Sequence, residues 1–472
     1  MRLQHLPTLR YAYGNQRFSK GMLAMRRTTH TLSLTAVACL ILLLLSAAAG
    51  TPFRAAQGIP APTLIIFGTY ATPPKPPPTA IPPAAPTPSS SGDDVITILL
   101  LGSDTAQRRL ISRTDVMIVA VLNRTHGTVS LMHFPRDLYV YVPNDTMQKL
   151  NTVANRGVQM YGAEGVGRLL KETFLYNFGI KVDFYARIGF TEFKEIINAL
   201  GSLRIGVDCA IEGNRLLSTD LDPNDPASYE VYRMEIGLHR LNADMALWYA
   251  RARGSSSDMD RGRRQMEILT AIWRQARAAD LFTQANELVP RLLRIVETDL
   301  SAADLLGLVP LAITLDLTRI QHINLALNQH FTQWYTSDTG TFTWLPIPAA
   351  MQRAVQDLYT PPTRNRLRGE APHVAVAAIA PLLDYHQVAS ERLMREGFTV
   401  SMLGTQGATQ HNFTTIYDYT GGAKPNSLAI LQRALRVSDR GVVSKPDPNA
   451  PYDFRVEIGY SYPNSCLFKI PQ

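Results

Sequence analysis

Cysteine is scarce in this sequence, with three in 472 residues. That argues against a disulfide framework, and no pair has the short spacing of a zinc or redox motif. Cys39 lies in an apolar segment. Cys209 and Cys466 stand far apart and read as ordinary buried thiols. Charge is missing altogether between Thr31 and Phe53. No internal repeat, helix-turn-helix or zinc module is evident, so nothing in the motifs points to nucleic acid.

The uncharged stretch has the length needed to span a bilayer, and its core is Ala36-Val37-Ala38-Cys39-Leu40-Ile41 followed by four leucines. Arg26 and Arg27 precede it, with Arg17 and Lys20 further back. The positive-inside rule then leaves residues 1–30 in the cytoplasm and everything after residue 50 outside. Ser46-Ala47-Ala48-Ala49 offers small residues for signal-peptide cleavage. The long apolar run favours an uncleaved anchor at 31–50, with no cysteine close behind it to carry a lipid. Residues 51–92 are proline-rich, as in Pro73-Pro74-Lys75-Pro76-Pro77-Pro78, and read as an extended spacer that buries no core.

What is present is 46% hydrophobic sequence with a formal charge of +8 and a pI near 9.3. The basic excess suits phosphate-rich partners, an anionic membrane or nucleic acid and does not choose among them. From residue 93 strands alternate with helices, which argues for a layered α/β domain over 93–360. Val95–Leu101, Val116–Leu122 and Thr128–Phe134 are short apolar runs that read as buried strands. Helices are predicted over Ala163–Phe178, Thr191–Leu200, Asn242–Trp248, Met259–Ala279, Thr283–Val296 and Ala349–Leu358. Gly213–Tyr229 is polar and reads as an exposed loop. A smaller α/β unit is predicted over 373–472, with strands at His373–Ile379, Phe398–Leu403 and Thr414–Tyr419 and helices at Tyr385–Glu396 and Ser427–Leu435.

Ionisable residues gather at the ends of the first strands: Asp104, Arg113, Asp115, Arg136 and Asp137. Charges beside buried strands are costly unless they pair or bind something. An internal salt-bridge cluster and an anion site with a metal both fit. A second group comprises Arg251, Arg253, Asp258, Arg261, Arg264 and Gln265. Arg251 and Arg253 face the same way on an extended chain. Asp258 stands where a helix N-cap belongs. Helix starts and arginine forks both bind phosphate, which favours an anion site over a solvated basic helix end. His133 reads as a core histidine, His239 as a cap for the helix at Asn242, and Phe174, Tyr176, Phe178 and Phe184 as core.

These motifs, in this order, resemble the LytR-CpsA-Psr family. The matching elements are Asp104 after Leu-Gly, Arg113-Thr114-Asp115, Pro135-Arg136-Asp137, Lys149-Leu150-Asn151, Tyr249-Ala250-Arg251-Ala252-Arg253 and Asp258-x-x-Arg261-x-x-Arg264-Gln265. The resemblance spans Val95 to Ala326. It implies a membrane-anchored α/β enzyme with a central mixed β-sheet flanked by helices and a long apolar pocket for lipid. The implied reaction is extracytoplasmic phosphotransfer of a glycopolymer from a polyprenyl-pyrophosphate carrier onto peptidoglycan. By the same resemblance Asp104 and Asp115 bind Mg²⁺ or Mn²⁺, an oxygen-only site of the kind Mg²⁺ prefers. Arg113, Arg136, Lys149, Arg251, Arg253, Arg261, Arg264 and Gln265 grip the pyrophosphate, and Arg113, Asp115, Arg136 and Asp137 are the catalytic group. Thr114 stands where the family has serine. Arg108 or Arg109 would replace an arginine that the family places nearer to Asp104. The 373–472 unit resembles the family's attached C-terminal domain, with Ala380-Pro381-Leu382-Leu383 in place of its glycine-containing turn. The competing readings are a phosphatase acting on the lipid pyrophosphate and a non-catalytic envelope binding or regulatory protein.

Overall fold

The computed structural model of the chain describes residues 81–89, 92–103, 113–218, 221–222, 224–253, 257–336, 340–362, 367 and 369–462. The predicted anchor, most of the proline-rich stretch, Asp104 with the 104–112 segment, and Cys466 lie outside them. Among the described residues no helix is long and apolar enough to cross a membrane.

The three apolar runs form β1 (Val95–Ser103), β2 (Thr114–Asn123) and β3 (Thr128–His133). They pair antiparallel in sequence order. β4 (Tyr139–Tyr141) and β5 (Met147–Lys149) make a small ribbon, and β6 (Phe184–Ile188) joins β1 in parallel. β7 (Leu203–Val207) pairs with β10 (Gly237–Leu241), and β8 (Ile211–Leu216) with β9 (Tyr229–Met234). β11 (Glu297–Thr298) and β12 (Ile320–Ile323) close the edges of a mixed sheet of order β11-β6-β1-β2-β3-β12. β13 (Phe331–Tyr335) and β14 (Phe342–Pro346) form a hairpin beside it.

Helices cover both faces: α1 (Val153–Tyr161), α2 (Gly165–Phe178), α3 (Phe190–Ala199), α4 (Ala243–Arg251), α5 (Asp258–Ala278), α6 (Ala285–Ile295), α7 (Ala302–Leu306), α8 (Val309–Thr314) and α9 (Pro348–Tyr359). The period-2 alternation of strand side chains explains the layering. Ile98, Leu100, Ile118, Ala120 and Leu131 point into a core shared with α3 to α8. Leu99, Leu101, Met117, Val119 and Met132 point into a second core with α1, α2 and α9. Because both faces are buried, the strands read as continuous apolar runs rather than alternating ones.

The exposed loop expected at Gly213–Tyr229 is instead the β8–β9 hairpin and its tip. Its strands are polar because they wall a cavity instead of filling a core. The spacer expectation also needs correction at its end. Tyr176 donates its hydroxyl proton to the Pro82 carbonyl at 2.9 Å, and the Ala85 amide donates to the Tyr176 carbonyl at 2.8 Å. Gly179 ends α2 with φ +70°, and a Cβ there would lie 2.0 Å from the Pro86 carbonyl oxygen. Residues 81–89 therefore dock on the domain.

The C-terminal unit holds β15 (His373–Ala378), β16 (Thr399–Gly404), β17 (Thr415–Asp418), β18 (Val442–Ser444) and β19 (Phe454–Ile458) in the order β16-β15-β19-β17-β18. α10 (Leu383–Arg395) and α11 (Pro425–Leu435) cover one apolar face made by Val374, Val376, Ile416, Phe454 and Val456. Ile236, from the turn between β9 and β10, is part of that same core. Cys209 is buried at this junction and is disulfide-bonded, which overturns its reading as a free thiol. Distant spacing in sequence does not prevent pairing once a fold brings chain segments together.

Candidate functional site

A cavity of about 1160 Å³ opens between the central sheet, the β8–β9 hairpin and helices α3, α4 and α5. Leu100, Ile118, Phe193, Trp248, Ile268 and Leu269 supply apolar wall, while Asp115, Arg136, Arg251, Arg253, Arg261 and Gln265 supply polar groups to the same cavity.

Each charged group is set by the end of an element. Asp115 follows the first residue of β2 and accepts from Arg136 Nη1 at 2.7 Å. Arg136 Nε also lies 3.4 Å from Asp137, which is paired at 2.8 Å with Lys149. Burial opposes the charge of Arg136, but Asp115, Asp137 and Asp258 outweigh it and hold its pKa above the usual arginine value. α4 is capped by Asn242, whose side chain accepts from the Met245 amide at 2.9 Å. It ends at Arg251, which lies over the Phe190 ring at 4.5 Å. Ala252 then turns extended, with ψ 136°, and Arg253 follows. α5 starts at Asp258 with Ser257 as its N-cap, its hydroxyl accepting from the Asp260 amide. Asp258 is thus the first helical residue rather than the cap, and it pairs with Arg261 at 2.5 Å.

Arg261 is buried, and its pKa is pushed down to about 10, first by burial and then by the Arg253 and Arg136 charges. Asp258 and Asp115 offset this only in part. Arg261 Nε, Asp258 Oδ2 and Gln265 Oε1 are buried and have no hydrogen-bond partner among the described residues. Such atoms are rare in a folded protein, and two of these residues, Arg261 and Gln265, line the cavity. Asp258 Oδ2 and Gln265 Oε1 are acceptors, but Arg261 Nε and Arg136 Nε, likewise without a hydrogen bond, are buried donors. With positive charge that the neighbouring carboxylates answer only in part at Arg261, they make a place for an anion.

The predicted residues separate into two groups. Asp115, Arg136, Arg251, Arg253, Arg261 and Gln265 meet at the cavity. Arg264, expected to grip phosphate, is fully buried instead. Its guanidinium donates to the Tyr249 carbonyl at 3.0 Å, to the Ala252 carbonyl and to Asp260. It holds the Arg251–Arg253 segment and does not line the cavity. Lys149 serves Asp137 rather than the cavity, and Arg113 is exposed just before β2. Asp104 lies outside the described residues.

Sequence reasoning missed the hairpin and its anchoring. Arg215 lies over the Tyr232 ring at 3.8 Å, Tyr232 meets Trp248 edge-on at 5.1 Å, and Trp248 Nε1 donates to the Asn214 carbonyl at 3.0 Å. These contacts fasten the β8–β9 wall to the helix carrying Arg251. Phe190 and Phe193 of α3 also line the cavity and were missed, although residues three apart share a helix face. His133 is buried as expected, and desolvation lowers its pKa to about 4. His239 does not cap α4, for its ring contacts the Glu235 carbonyl instead. Phe174 and Phe178 pack on Phe134 in the opposite core, away from the cavity.

The model of the LytR_cpsA_psr family matches residues 79–342. The chain belongs to the LytR-CpsA-Psr family. It is 28% identical over 199 residues to the Bacillus subtilis polyisoprenyl-teichoic acid–peptidoglycan teichoic acid transferase TagT, covering 42% of this chain and 57% of that one. It is 31% identical over 174 residues to the Staphylococcus aureus regulatory protein MsrR, covering 37% of this chain and 46% of that one. This LytR-CpsA-Psr chain spans about half the length of the curated relatives it matches. A crystal structure of B. subtilis TagV aligns over 57% of this chain and 99% of that one, with 22% identity and a TM-score of 0.45. TagT with bound octaprenyl pyrophosphate lipid aligns over 57% and 90%, with 23% identity and a TM-score of 0.40.

Proposed function

We propose that the chain is an extracytoplasmic phosphotransferase that moves a glycopolymer from a polyprenyl-pyrophosphate carrier onto peptidoglycan. The observation that carries this reading is one cavity with an apolar wall and an arginine cluster whose charge is answered only in part at Arg261 and whose Arg136 Nε and Arg261 Nε donors are buried without a hydrogen-bond partner. A polyprenyl chain fits the first feature and a pyrophosphate diester the second. The relatives named as teichoic acid transferases support the same chemistry.

In this reading Arg136, Arg251, Arg253 and Arg261 hold the two phosphates, and Gln265 adds a polar contact. Neutralising the diester lowers the barrier for attack by an acceptor hydroxyl and stabilises the departing polyprenyl phosphate. Charge-assisted bonds from arginine forks also fix the phosphorus for in-line attack. Arg136 keeps Asp115 oriented, and Asp137 with Lys149 braces Arg136 from behind. The Asp115 carboxylate beside the arginines offers the hard oxygen ligand that Mg²⁺ takes, so Asp115 with Asp104 would hold the ion, which supplies further neutralisation of the phosphates. Residues 31–50 as an anchor would set the cavity outside the membrane, where the disulfide at Cys209 suits an oxidising compartment.

The test supplies the membrane-embedded chain with a polyprenyl-pyrophosphate-linked glycan and peptidoglycan sacculi. Polymer covalently attached to the sacculi is the expected result. Release of soluble polymer phosphate with none attached selects the phosphatase reading. A donor that is bound but never consumed makes the protein a binding module.

A further inference from the structure

Behind the arginine cluster, on the far side of α5, lies a second set of charges. Asp208, Asp260, Arg263, Arg264 and Glu267 are all buried. Arg263 Nη1 donates at 2.6 Å to both Asp208 and Glu267, and its Nε and Nη2 donate to Asp260 at 3.0 and 2.8 Å. Three carboxylates therefore face two arginines of the same domain. Further cations come from the C-terminal unit. Arg395, the last residue of α10, reaches Glu267 at 3.4 Å and Asp208 at 3.7 Å. Arg392, on the same helix, adds to the positive field at Asp208.

Around this contact the two units are joined on several sides. Arg274 of α5 pairs with Glu391 at 2.6 Å, and Arg204 of β7 donates to Gln387 at 3.0 Å. Ile236, with Ala210 and Leu238, packs into the C-terminal core. From Glu267 the network runs to the front. Tyr249 donates its hydroxyl proton to Glu267 at 3.3 Å, and Arg263 shares Asp260 with Arg264. Arg264 holds the Tyr249 and Ala252 carbonyls. Those carbonyls lie two residues before Arg251 and between Arg251 and Arg253.

We infer that the C-terminal unit is a positioning element of the site and that Arg395 is the residue through which it acts. By completing the charge balance behind α5, Arg395 fixes the backbone that presents Arg251 and Arg253 to the cavity. Without it, Arg392 still faces Asp208, but Glu267 is left with Arg263, which it shares with Asp208 and Asp260, and the buried carboxylates repel. Burial already pushes the Glu267 carboxyl upward, with Arg263 and Arg395 offsetting it only in part, whereas Asp208, faced by Arg263, Arg392 and Arg395, is held low despite burial. Relaxation of that strain would loosen the Arg264 contacts and let the 249–253 segment move.

The experiment compares the full chain, Arg395→Met, Arg395→Lys and the charge-balanced Glu267→Gln/Arg395→Met. Hydrogen–deuterium exchange over residues 249–253 is read without ligand, and affinity is read with a polyprenyl pyrophosphate analogue well below the melting temperature. Arg395→Met should exchange at least about tenfold faster there, as a segment does when its local opening becomes easier. It should also bind the analogue at least about fivefold more weakly, with Arg395→Lys and the double variant near the full chain. A purely structural clamp would lower the melting temperature and leave both readouts unchanged, and that result overturns the inference. If Arg395→Met does not fold, the double variant decides: fast exchange in the folded double variant overturns the charge-balance argument. The affinity arm rests on the proposed function. A full chain that ignores the analogue defeats that reading alone, because the exchange arm needs no ligand.

Discussion

Two sets of arginines meet at α5, and they differ in how their charge is answered. The front set, Arg136, Arg251, Arg253 and Arg261, lines the cavity, with Arg136 paired to Asp115 and Asp137 and Arg261 to Asp258. The rear set, Arg263 and Arg264, is enclosed by Asp208, Asp260 and Glu267. Arg261 is pushed down to about 10, while Arg263 is held far above its ordinary value by those carboxylates against the opposing effect of burial. The same side chain, two residues further along one helix, lines a cavity with one carboxylate partner at 261 and is enclosed by three at 263. What separates them is how fully the protein itself answers the charge.

The sharpest way to break that contrast is Arg263→Met. It leaves buried carboxylates unpaired and should cost roughly 3–5 kcal/mol, read as a large fall in melting temperature. Retention of full stability would show that the rear cluster is no scaffold. Next comes His133, which lies between Asp258 and Arg261 in their electrostatic reach. Its folded pKa of about 4 lies below the ordinary 6.5 because burial disfavours the imidazolium. The folded state therefore binds fewer protons than the unfolded one. The stability it contributes is present above pH 6.5 and is lost as pH falls toward 4, by about 3 kcal/mol in total. His133→Asn should flatten the stability–pH profile across that window, measured by urea melts at stepped pH. An unchanged slope would assign the acid sensitivity to the carboxylates.

Gly262 separates the two arginine sets, and a Cβ there would fall 2.1 Å from the His133 ring. Gly262→Ala should cost about 1–3 kcal/mol by overpacking and shift α5 off the sheet. A variant as stable as the parent would mean that His133 has room to turn aside. The smallest effect belongs to the front set. Arg251→Ala and Arg253→Ala remove repelling charge and should keep or raise the melting temperature. Affinity for a polyprenyl pyrophosphate analogue should fall at least about tenfold, or about 1.4 kcal/mol. A marked loss of stability with unchanged affinity would return both residues to the scaffold.

Much of this was legible in the chain. The period-2 and 3.6-residue patterns located β1, β2, β3, α2, α5 and most of the C-terminal elements to within a few residues, because core packing imposes those periods locally. The front arginines and Asp115 were legible from motif order, as was the family. The β8–β9 hairpin was not, since a strand that walls a polar-lipped cavity carries no apolar alternation. Neither was the short β19, which sits in mid-sheet although it is the last strand among the described residues.

The sequence by itself determined which side chains are available: an apolar sheet, an arginine-rich helix start and a basic excess outside a membrane-length run. Whether Arg261, Arg263 or Arg264 faces the cavity was decided only by the tertiary structure. Residues 261 and 265 share one helical face, while 260 with 264 and 263 with 267 pair elsewhere on the helix, and no local rule says which face the sheet will cover. Long-range contacts made that choice. The Tyr249 and Ala252 carbonyls claimed Arg264, Asp208 claimed Arg263, and a helix more than a hundred residues away brought Arg395 to Glu267. Buried charge must find its partner wherever the fold places one, and that partner need not be near in sequence.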